Sequence, residues 1–344
     1  LLVGGFPCQD YSVATTLDKS KALEGPKGML WWAIDYIIAK KQPPYVLLEN
    51  VNTLITKPSK QRGRSFGVIL SCLRARGYHV EWRVINAAEV GYVQRRRRVF
   101  IFAARKDTGI AKWMAKGYKA DNYLSSAGFF GSEFPGTYPE KAIGKLREYD
   151  LMDDPKEVSD EFTARFESAG VMVNGHCRTR RVDPNPTKPA TLWDVLEKEG
   201  VDERYFIDDT RWKQWEYQKG AKSEKRIANK GTDGEYEYHF KEGAMAPIDA
   251  WDKPARTLLT SEANKTPNRS THIVIDPKTE RKRFLTPREC ELLNGFPAGW
   301  TDVPDVTDRW RYFTMGNALV VDLVEQMGRR LKVLVAEHDS KVAK

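Results

Sequence analysis

Cysteine is scarce in this sequence, with four residues among 344, far apart and without a Cys-x-x-Cys pair. This spacing argues against a disulfide framework or a zinc site and favours a reducing, intracellular setting. The five histidines are dispersed as well, so no metal site is predicted. No apolar run approaches the roughly 20 residues of a membrane-spanning helix, and no basic segment precedes the opening Leu-Leu-Val, so neither a membrane span nor a signal peptide is predicted.

Charge is the next feature of the composition. Lys and Arg number 56 against 47 Asp and Glu, which gives a net charge of +9. A positive excess is compatible with a polyanionic partner such as DNA or RNA but does not identify one. With 41% hydrophobic residues, the chain is expected to bury a core in two domains or in one large interrupted domain.

The first 106 residues alternate short apolar runs with helical patterns. Because strands that alternate with helices are typical of an open α/β sheet, we predict a doubly wound, Rossmann-like α/β domain. The chain opens inside an apolar run and without Met, so we expect this sheet to be incomplete at its N-terminus. Strands are predicted at 1–3, 45–48, 79–86 and 98–104, and helices at 29–38 and 66–73.

The character of the sequence changes after this first stretch. Residues 107–275 scatter Gly, Pro, Lys and aromatic residues without sustained periodicity, so we expect a separate, irregular, basic and aromatic module. A loop-rich insertion that binds nothing is the alternative. Residues 276–344 are predicted to return to the first domain. Thr286-Pro287-Arg288-Glu289 is typical of a helix start, and a last helix is predicted at about 318–335.

Cys8 lies in the segment Gly-Gly-Phe-Pro-Cys-Gln, directly after the first predicted strand. Open α/β sheets place their active sites at the carboxyl ends of strands, so a cysteine here is presented where chemistry takes place. A nucleophilic thiol needs partial exposure and help to ionise. A buried structural cysteine is the alternative interpretation.

Two further polar segments accompany predicted strands. Glu49 follows a buried strand and is a candidate proton donor, or a structural acid that caps the next helix. Four arginines, residues 95–98, lead into another strand. If they lie within that strand, Arg96 and Arg98 face one side and could enter one pocket, whereas Arg95 and Arg97 face the other. A solvated basic patch is the alternative.

These segments together resemble the motifs of C5-cytosine DNA methyltransferases. The resemblance implies the methyltransferase form of the α/β sheet, with residues 1–106 and 276–344 as the catalytic domain and residues 107–275 as an inserted target-recognition domain. Leu319 stands where the last family motif usually has Val. The segments that carry the resemblance, in the order of the family motifs, are residues 5–9, 49–51, 94–98, 285–289 with 295–297, and 316–320.

The resemblance also implies a mechanism. The Cys8 thiolate attacks C6 of a cytosine that has been flipped out of the DNA helix, which makes C5 nucleophilic enough to take a methyl group. Glu49 holds or protonates N3 of the base. Arg98 and Arg96 hydrogen-bond to the edge of the base and to the region of Cys8. Asn50 mainly shapes the pocket.

Double-stranded DNA is the partner that the resemblance implies. Gln9 and Ser12 lie on the loop that closes over DNA in this family. The polar composition near the end of the variable segment suits contacts to phosphates and bases, or alternatively a plain exposed loop. The residues expected to contact the base or the DNA are Gln9, Ser12, Asn50, Gln94, Arg256, Thr257 and Arg269.

S-adenosylmethionine is the methyl donor that the resemblance implies, with Pro7, Gly316 and Asn317 among its contacts. The main cofactor motifs of the family precede the cysteine, and none can be placed in the seven residues before Cys8. We therefore expect either a partial chain of an ordinary enzyme or one subunit of a split enzyme whose partner carries those motifs. The resemblance also implies a prokaryotic or phage-encoded, cytoplasmic enzyme, with or without an accompanying restriction enzyme.

Three other functions remain open at this stage. An RNA cytosine methyltransferase has the same fold, but such relatives tend to have Pro-Pro-Cys where this chain has Phe6-Pro7-Cys8. A non-catalytic DNA-binding relative would not need Cys8, Glu49 and Arg98 together. A thiol hydrolase would need a partner histidine, and none of the histidines lies in a motif that suggests one.

Overall fold

The computed structural model describes residues 1–6, 30–140 and 144–339. It divides into two compact units. The first comprises residues 1–90, 97–188 and 323–344, and the second residues 91–96 and 189–322. No helix in the described ranges is long and apolar enough to cross a bilayer.

The first unit is built on a seven-stranded sheet. Its helices are α1 (Leu30–Lys41), α2 (Arg64–Ala75), α3 (Gly109–Gly117), α4 (Phe129–Glu133), α5 (Pro155–Glu161) and most of α9 (Val321–His338). Its strands are β1 (Leu2–Gly5), β2 (Tyr45–Val51), β3 (Tyr78–Asn86), β4 (Arg97–Arg105), β5 (Gly136–Thr137), β6 (Arg147–Asp150), β7 (Ala169–Val173), β8 (His176–Arg180) and β9 (Asp183–Pro184).

The strand order in the sheet is β1-β2-β4-β3-β7-β8-β6. Only β1 and β2 are parallel, and every other neighbouring pair is antiparallel. The four strands and two helices predicted in the first 106 residues are confirmed, whereas the uniform alternation of strand and helix is not. Between β3 and β4 lie only residues 87–96, which are fewer than the dozen or more that a parallel crossover requires.

An apolar core covers one face of this sheet. Phe66 on α2 meets Trp82 on β3 and Phe166 edge to face, with ring centroids 5.1 Å apart in both pairs. On the opposite face, Phe102 stacks on Phe129 of α4 at 3.9 Å. Because both faces are covered, the strands between them are held rigidly, and so are the side chains at the strand ends.

The predicted domain boundaries differ from those that the structure shows. Residues 107–188 belong to the sheet unit, since β7 pairs with the free edge of β3 through Val80–Met172 and neighbouring pairs. All five residues of β7 are buried, and burial of this short apolar run favours its place in the sheet. Residues 276–322, expected to return to the first domain, belong to the second unit.

The second unit has its own core and an antiparallel ribbon. Thr286 caps α7 with a capping box to Glu289, which confirms the predicted helix start. Arg283 is fully buried and pairs with both Asp276 and Glu289, at 2.9 and 2.8 Å. The elements of this unit are α6 (Trp212–Lys219), β10 (Lys222–Ala228), β11 (Tyr236–Glu242), β12 (Ile273–Ile275), β13 (Lys282–Phe284), α7 (Pro287–Leu293) and α8 (Asp308–Asn317).

Candidate active site

Glu49 and Arg98 form an ion pair between the neighbouring strands β2 and β4. Glu49 lies opposite Phe100 in the antiparallel register, and Arg98 is two residues before Phe100. Since opposite residues share a face and side chains alternate along a strand, Glu49 and Arg98 project from the same face. The Arg98 Nε donates to Glu49 Oε1 at 2.9 Å, and the two side chains are only 17% and 19% exposed.

The surroundings of this pair constrain its charge and its geometry. Burial lowers the pKa of the Arg98 guanidinium, and the negative charge of Glu49 opposes that shift. An arginine stays protonated in proteins even so, so the pair retains its positive member. Arg98 Nη1 also donates to the carbonyl oxygen of Arg97 at 2.9 Å. These two hydrogen bonds fix the guanidinium, which in turn restrains the Glu49 carboxylate.

The carboxyl end of β1 comes directly beside this pair. Gly5 is opposite Glu49 in the parallel register, and a Cβ at Gly5 would lie 3.3 Å from Glu49 Oε2. One residue further, the Asn50 Nδ2 donates to the carbonyl oxygen of Phe6 at 2.6 Å. Asn50 Oδ1 accepts from the amide nitrogen of Val51 at 2.8 Å. Asn50 therefore anchors the chain immediately before residues 7–9.

Several of the predicted site residues lie outside the described residues. They are the predicted nucleophile Cys8, the predicted cofactor contact Pro7, and the predicted DNA contacts Gln9 and Ser12. The described chain up to Phe6 leads towards the position of Glu49 and Arg98.

Arg96 has a different environment from Arg98. Strand β4 begins at Arg97, so the alternation that would turn Arg96 and Arg98 to one side does not extend to Arg96. Arg96 is buried in the second unit, where its guanidinium donates to the carbonyl oxygens of Leu258 at 3.2 Å and Gly316 at 3.1 Å. These contacts hold Arg96 within the second unit, and its catalytic role remains a prediction.

Gln94 corrects the sequence prediction. Its side chain is fully buried. Nε2 donates to the carbonyl oxygen of Leu293 and to Asn294 Oδ1, at 3.1 and 2.9 Å, and Oε1 accepts from the amide of Leu258 at 3.1 Å. Both ends of the amide are thus engaged inside the second unit, and a direct contact to DNA is not compatible with this position.

The predicted DNA contacts in the variable segment mostly hold loops together. Arg256 binds both carboxylate oxygens of Asp249, at 2.7 and 3.1 Å. Arg269 pairs with Glu242 at 3.0 Å and donates to the carbonyl oxygens of Gly220 and Gly243, at 3.0 and 2.7 Å. Both side chains stay partly exposed, at 20% and 25%, and their contact to DNA remains a prediction. The exposed Thr257 hydroxyl donates to the Arg95 carbonyl oxygen at 2.6 Å.

Gly316 and Asn317 were predicted to contact the methyl donor. A Cβ at Gly316 would lie 2.4 Å from the backbone of Leu259 and Thr260, so the glycine is required by close packing of two backbones. Asn317 is exposed, and its Nδ2 donates to the Phe313 carbonyl oxygen at 3.2 Å. Of the predicted cofactor contacts that the structure describes, only Asn317 therefore presents an exposed side chain.

Arg62 and Arg97 were not among the predicted site residues. Both are exposed and line one cavity of the first unit, beside the strand ends that carry Glu49 and Arg98. For Arg97, the only signal in the sequence was the strand alternation, which predicts that its side chain faces the side of the sheet opposite to Arg98. No signal in the sequence marked Arg62, because the turn that brings it to the cavity depends on the packing of α2.

Comparison with known proteins places these motifs in a family. Residues 1–333 match the model of the family described as "C-5 cytosine-specific DNA methylase". The chain is 42% identical over 334 residues to the type II methyltransferase M.Sau3AI of Staphylococcus aureus, covering 96% of this chain and 77% of that relative. It is 25% identical over 337 residues to the type II methyltransferase M.DsaV of Dactylococcopsis salina, with coverage of 96% and 68%.

Solved structures show a similar fold. The chain matches the S. pombe Dnmt2 methyltransferase with a TM-score of 0.52 at 14% identity, covering 93% of this chain and 74% of that one. It matches the Entamoeba histolytica methyltransferase EhMeth with a TM-score of 0.50 at 13% identity, covering 96% and 75%. At such identities the similarity concerns the fold alone, and it supports the Rossmann-like methyltransferase class.

Proposed function

The chain belongs to the C-5 cytosine-specific DNA methylase family, and from this premise we propose that Cys8, Glu49 and Arg98 carry out its chemistry. The reaction of the family is methyl transfer to C5 of a cytosine in DNA. The observation that supports this assignment best is the ion pair of Glu49 and Arg98, half-enclosed beside the carboxyl end of β1.

In the proposed mechanism, the Cys8 thiolate adds to C6 of the cytosine. The carbon–sulfur bond forms as the C5–C6 double bond breaks, and that electron pair becomes available at C5. Glu49 holds N3 of the ring through a shared proton, and Arg98 keeps the carboxylate in position. When bound, S-adenosylmethionine would supply the methyl group to C5 and would leave as S-adenosylhomocysteine. A solvent water then takes the C5 proton, the C5–H electron pair restores the C5–C6 double bond, and the carbon–sulfur bond breaks to release the Cys8 thiolate.

The substrate must leave the double helix for these atoms to meet, because C5 and C6 are otherwise stacked between neighbouring bases. We place sequence recognition in the second unit, residues 189–322, in place of the segment 107–275 expected from composition. Its two-stranded ribbon, β10 paired with β11 from Lys222–Glu242 to Ala228–Tyr236, is largely exposed. A ribbon of this width can enter the major groove, where base edges are distinguishable.

The cofactor requires residues beyond those described. Strand β1 is the outermost strand of the sheet, and parallel strands are normally covered on both sides. Val3, Leu30, Tyr36 and Ile37, on β1 and α1, are 41–63% exposed. We propose that a further strand–helix segment covers this apolar edge and brings the missing cofactor contacts. Either more of the same polypeptide or a separate subunit could supply it.

A trapping experiment tests the proposed chemistry. DNA with 5-fluorocytosine at the target position lacks the C5 proton that must leave, so the Cys8 adduct should persist through denaturing electrophoresis when the methyl donor is present. Cys8→Ser should abolish the adduct. If the protein only bound DNA without catalysis, neither the wild type nor Cys8→Ser would form an adduct. If it were an RNA enzyme, the wild type would form the adduct with fluorinated RNA and not with fluorinated DNA.

The biological setting is suggested by two relatives, both named type II methyltransferases and both from bacteria. We propose that this enzyme likewise methylates DNA in a prokaryotic cytoplasm as part of a restriction–modification pair. Bisulfite sequencing of DNA from cells that express the enzyme should show one short methylated sequence. Methylation scattered without a shared sequence would contradict this.

A further inference from the structure

A polar cavity of about 490 Å³ opens at the edge of the sheet beside Glu49 and Arg98. Asn52, three residues after Glu49, lines it, as does Arg97, the neighbour of Arg98. The end of β3 and the segments around Ser168 and Asp183 complete the wall. All of these residues belong to the first unit, so the cavity is complete within it.

The ionisable groups of this cavity leave an excess of positive charge. Four arginines and three carboxylates line it: Arg62, Arg83, Arg97 and Arg181, with Glu89, Glu167 and Asp183. Two of the carboxylates are already neutralised. Glu167 pairs with Arg147 and Arg165 at 3.2 and 2.8 Å, and Asp183 pairs with Arg181 at 2.7 Å.

Of the remaining arginines, Arg83 is partly compensated by the negative charge of Glu81, which opposes the effect of burial on its pKa. Arg83, in the buried wall, donates to the neutral carbonyl oxygens of Leu124 and Phe134, at 2.7 and 2.9 Å. Arg62 and Arg97 are exposed, and neither side chain forms an ion pair with any residue that the structure describes. Among the described residues, two exposed cationic groups, Arg62 and Arg97, thus share the cavity with one carboxylate that forms no ion pair, Glu89.

We propose that this cavity binds the sugar–phosphate backbone of the DNA strand next to the target cytosine, with Arg62 and Arg97 as phosphate ligands. This inference rests on the proposed function of the Glu49–Arg98 site. The cavity lies at the same end of the sheet as that site, since Asn52 follows the end of β2, Arg97 begins β4 and both line it. A DNA strand whose target base reaches the Glu49–Arg98 pair passes this end of the sheet. The uncharged Thr56, Asn86 and Ser168 on the wall suit hydrogen bonds to phosphate and sugar.

Phosphate contacts predict a defined salt dependence. Each contact contributes about −0.9 to the slope of log affinity against log salt concentration. In the full-length enzyme, R62Q and R97Q should each make the slope less steep by about 0.9, and the double variant by about 1.8. A fourfold increase in salt should then narrow the gap in DNA affinity between wild type and double variant by about twelvefold.

Fluorescence anisotropy with a cognate and a scrambled duplex measures these slopes. The double variant should lose affinity for both duplexes equally, because backbone contacts carry no sequence information. In steady-state methylation assays its KM for DNA should rise more than its kcat falls. Lys112→Gln, an exposed cation on α3 that does not line the cavity, is the matched control and should behave as wild type.

The outcomes separate this proposal from the proposed function. Wild-type enzyme that methylates DNA, together with a double variant whose slope is unchanged, would overturn the cavity assignment alone. Loss of affinity for the cognate duplex only would also overturn it, since that result indicates base contacts. If the wild type formed no adduct with fluorinated DNA, the proposed function itself would fail. Matching melting temperatures for wild type and variants exclude misfolding.

Discussion

The Asn50 side chain donates a 2.6 Å hydrogen bond to the carbonyl oxygen of Phe6, across the parallel pair of strands β1 and β2. Asn50 is 1% exposed, so this bond is shielded from water. It ties the end of β2, which carries Glu49, to the chain two residues before Cys8. The Asn50 amide therefore holds the last described residue before the proposed nucleophile against the strand that carries the proposed acid.

Asn50→Ala should lower kcat by at least tenfold, because the segment that carries Cys8 loses its anchor. Loss of the buried hydrogen bond should also reduce the free energy of unfolding by about 1–2 kcal/mol. Methylation kinetics and chemical denaturation measure the two effects. Asn122→Ala, an exposed asparagine on the same unit, is the control. A variant with normal kcat would show that Asn50 does not position Cys8.

Arg98→Met should reduce kcat by at least tenfold while leaving the fold intact. Removal of the guanidinium takes away the hydrogen bond that fixes Glu49. Because both side chains are mostly buried, leaving the carboxylate unpaired should lower the free energy of unfolding by about 3 kcal/mol. Arg105→Met, which removes the Arg105–Asp107 pair at the other end of β4, should retain activity. Equal decreases of kcat in Arg98→Met and Arg105→Met would indicate that removing any positive charge from β4 lowers activity.

Gly316→Ala should destabilise the protein by about 1–3 kcal/mol, because the new Cβ meets the backbone of Leu259 and Thr260 at 2.4 Å. Gly328→Ala is the matched control. Its Cβ meets nothing within 4 Å on helix α9, so it should stabilise by about 0.5–1 kcal/mol. Thermal unfolding checks both. A Gly316→Ala variant with normal stability but weakened binding of S-adenosylmethionine would restore the cofactor role predicted from the sequence.

His79 should make stability depend on pH. Burial lowers the pKa of this imidazole to about 4, and Lys106 adds to the shift. The unfolded chain takes up a proton near the ordinary histidine pKa of 6.5, whereas the native state does so only near 4. Protonation therefore favours unfolding as the pH falls from 6.5 to about 4, and a neutral His79 contributes its stability above that window.

The free energy of unfolding should decrease by about 2–3 kcal/mol as the pH falls through this window. Denaturant titrations of the wild type and of His79→Gln at pH 7 and pH 4.5 test it, and the variant should show a smaller difference between the two. His176→Gln, a more exposed histidine on β8, should keep the wild-type dependence. The same pH dependence in all three proteins would assign the effect to other groups.

The sequence by itself determined the family and most local elements, and it predicted which side chains react. Glu49, Asn50 and Arg98 were found from residue type and position at strand ends, and the capping box at Thr286 was found from spacing. Such signals are local, since propensity, alternation and capping involve residues close together in the chain.

Tertiary structure decided strand pairing, the assignment of segments to the two units and the burial of individual side chains. Pairing of β7 with β3 moved residues 107–188 into the sheet unit. The start of β4 at Arg97 separated Arg96, which is buried among carbonyl oxygens, from Arg98, which faces Glu49. The physical reason is that register and burial depend on partners 86 to 220 residues away in the chain, which local propensity, alternation and capping do not specify.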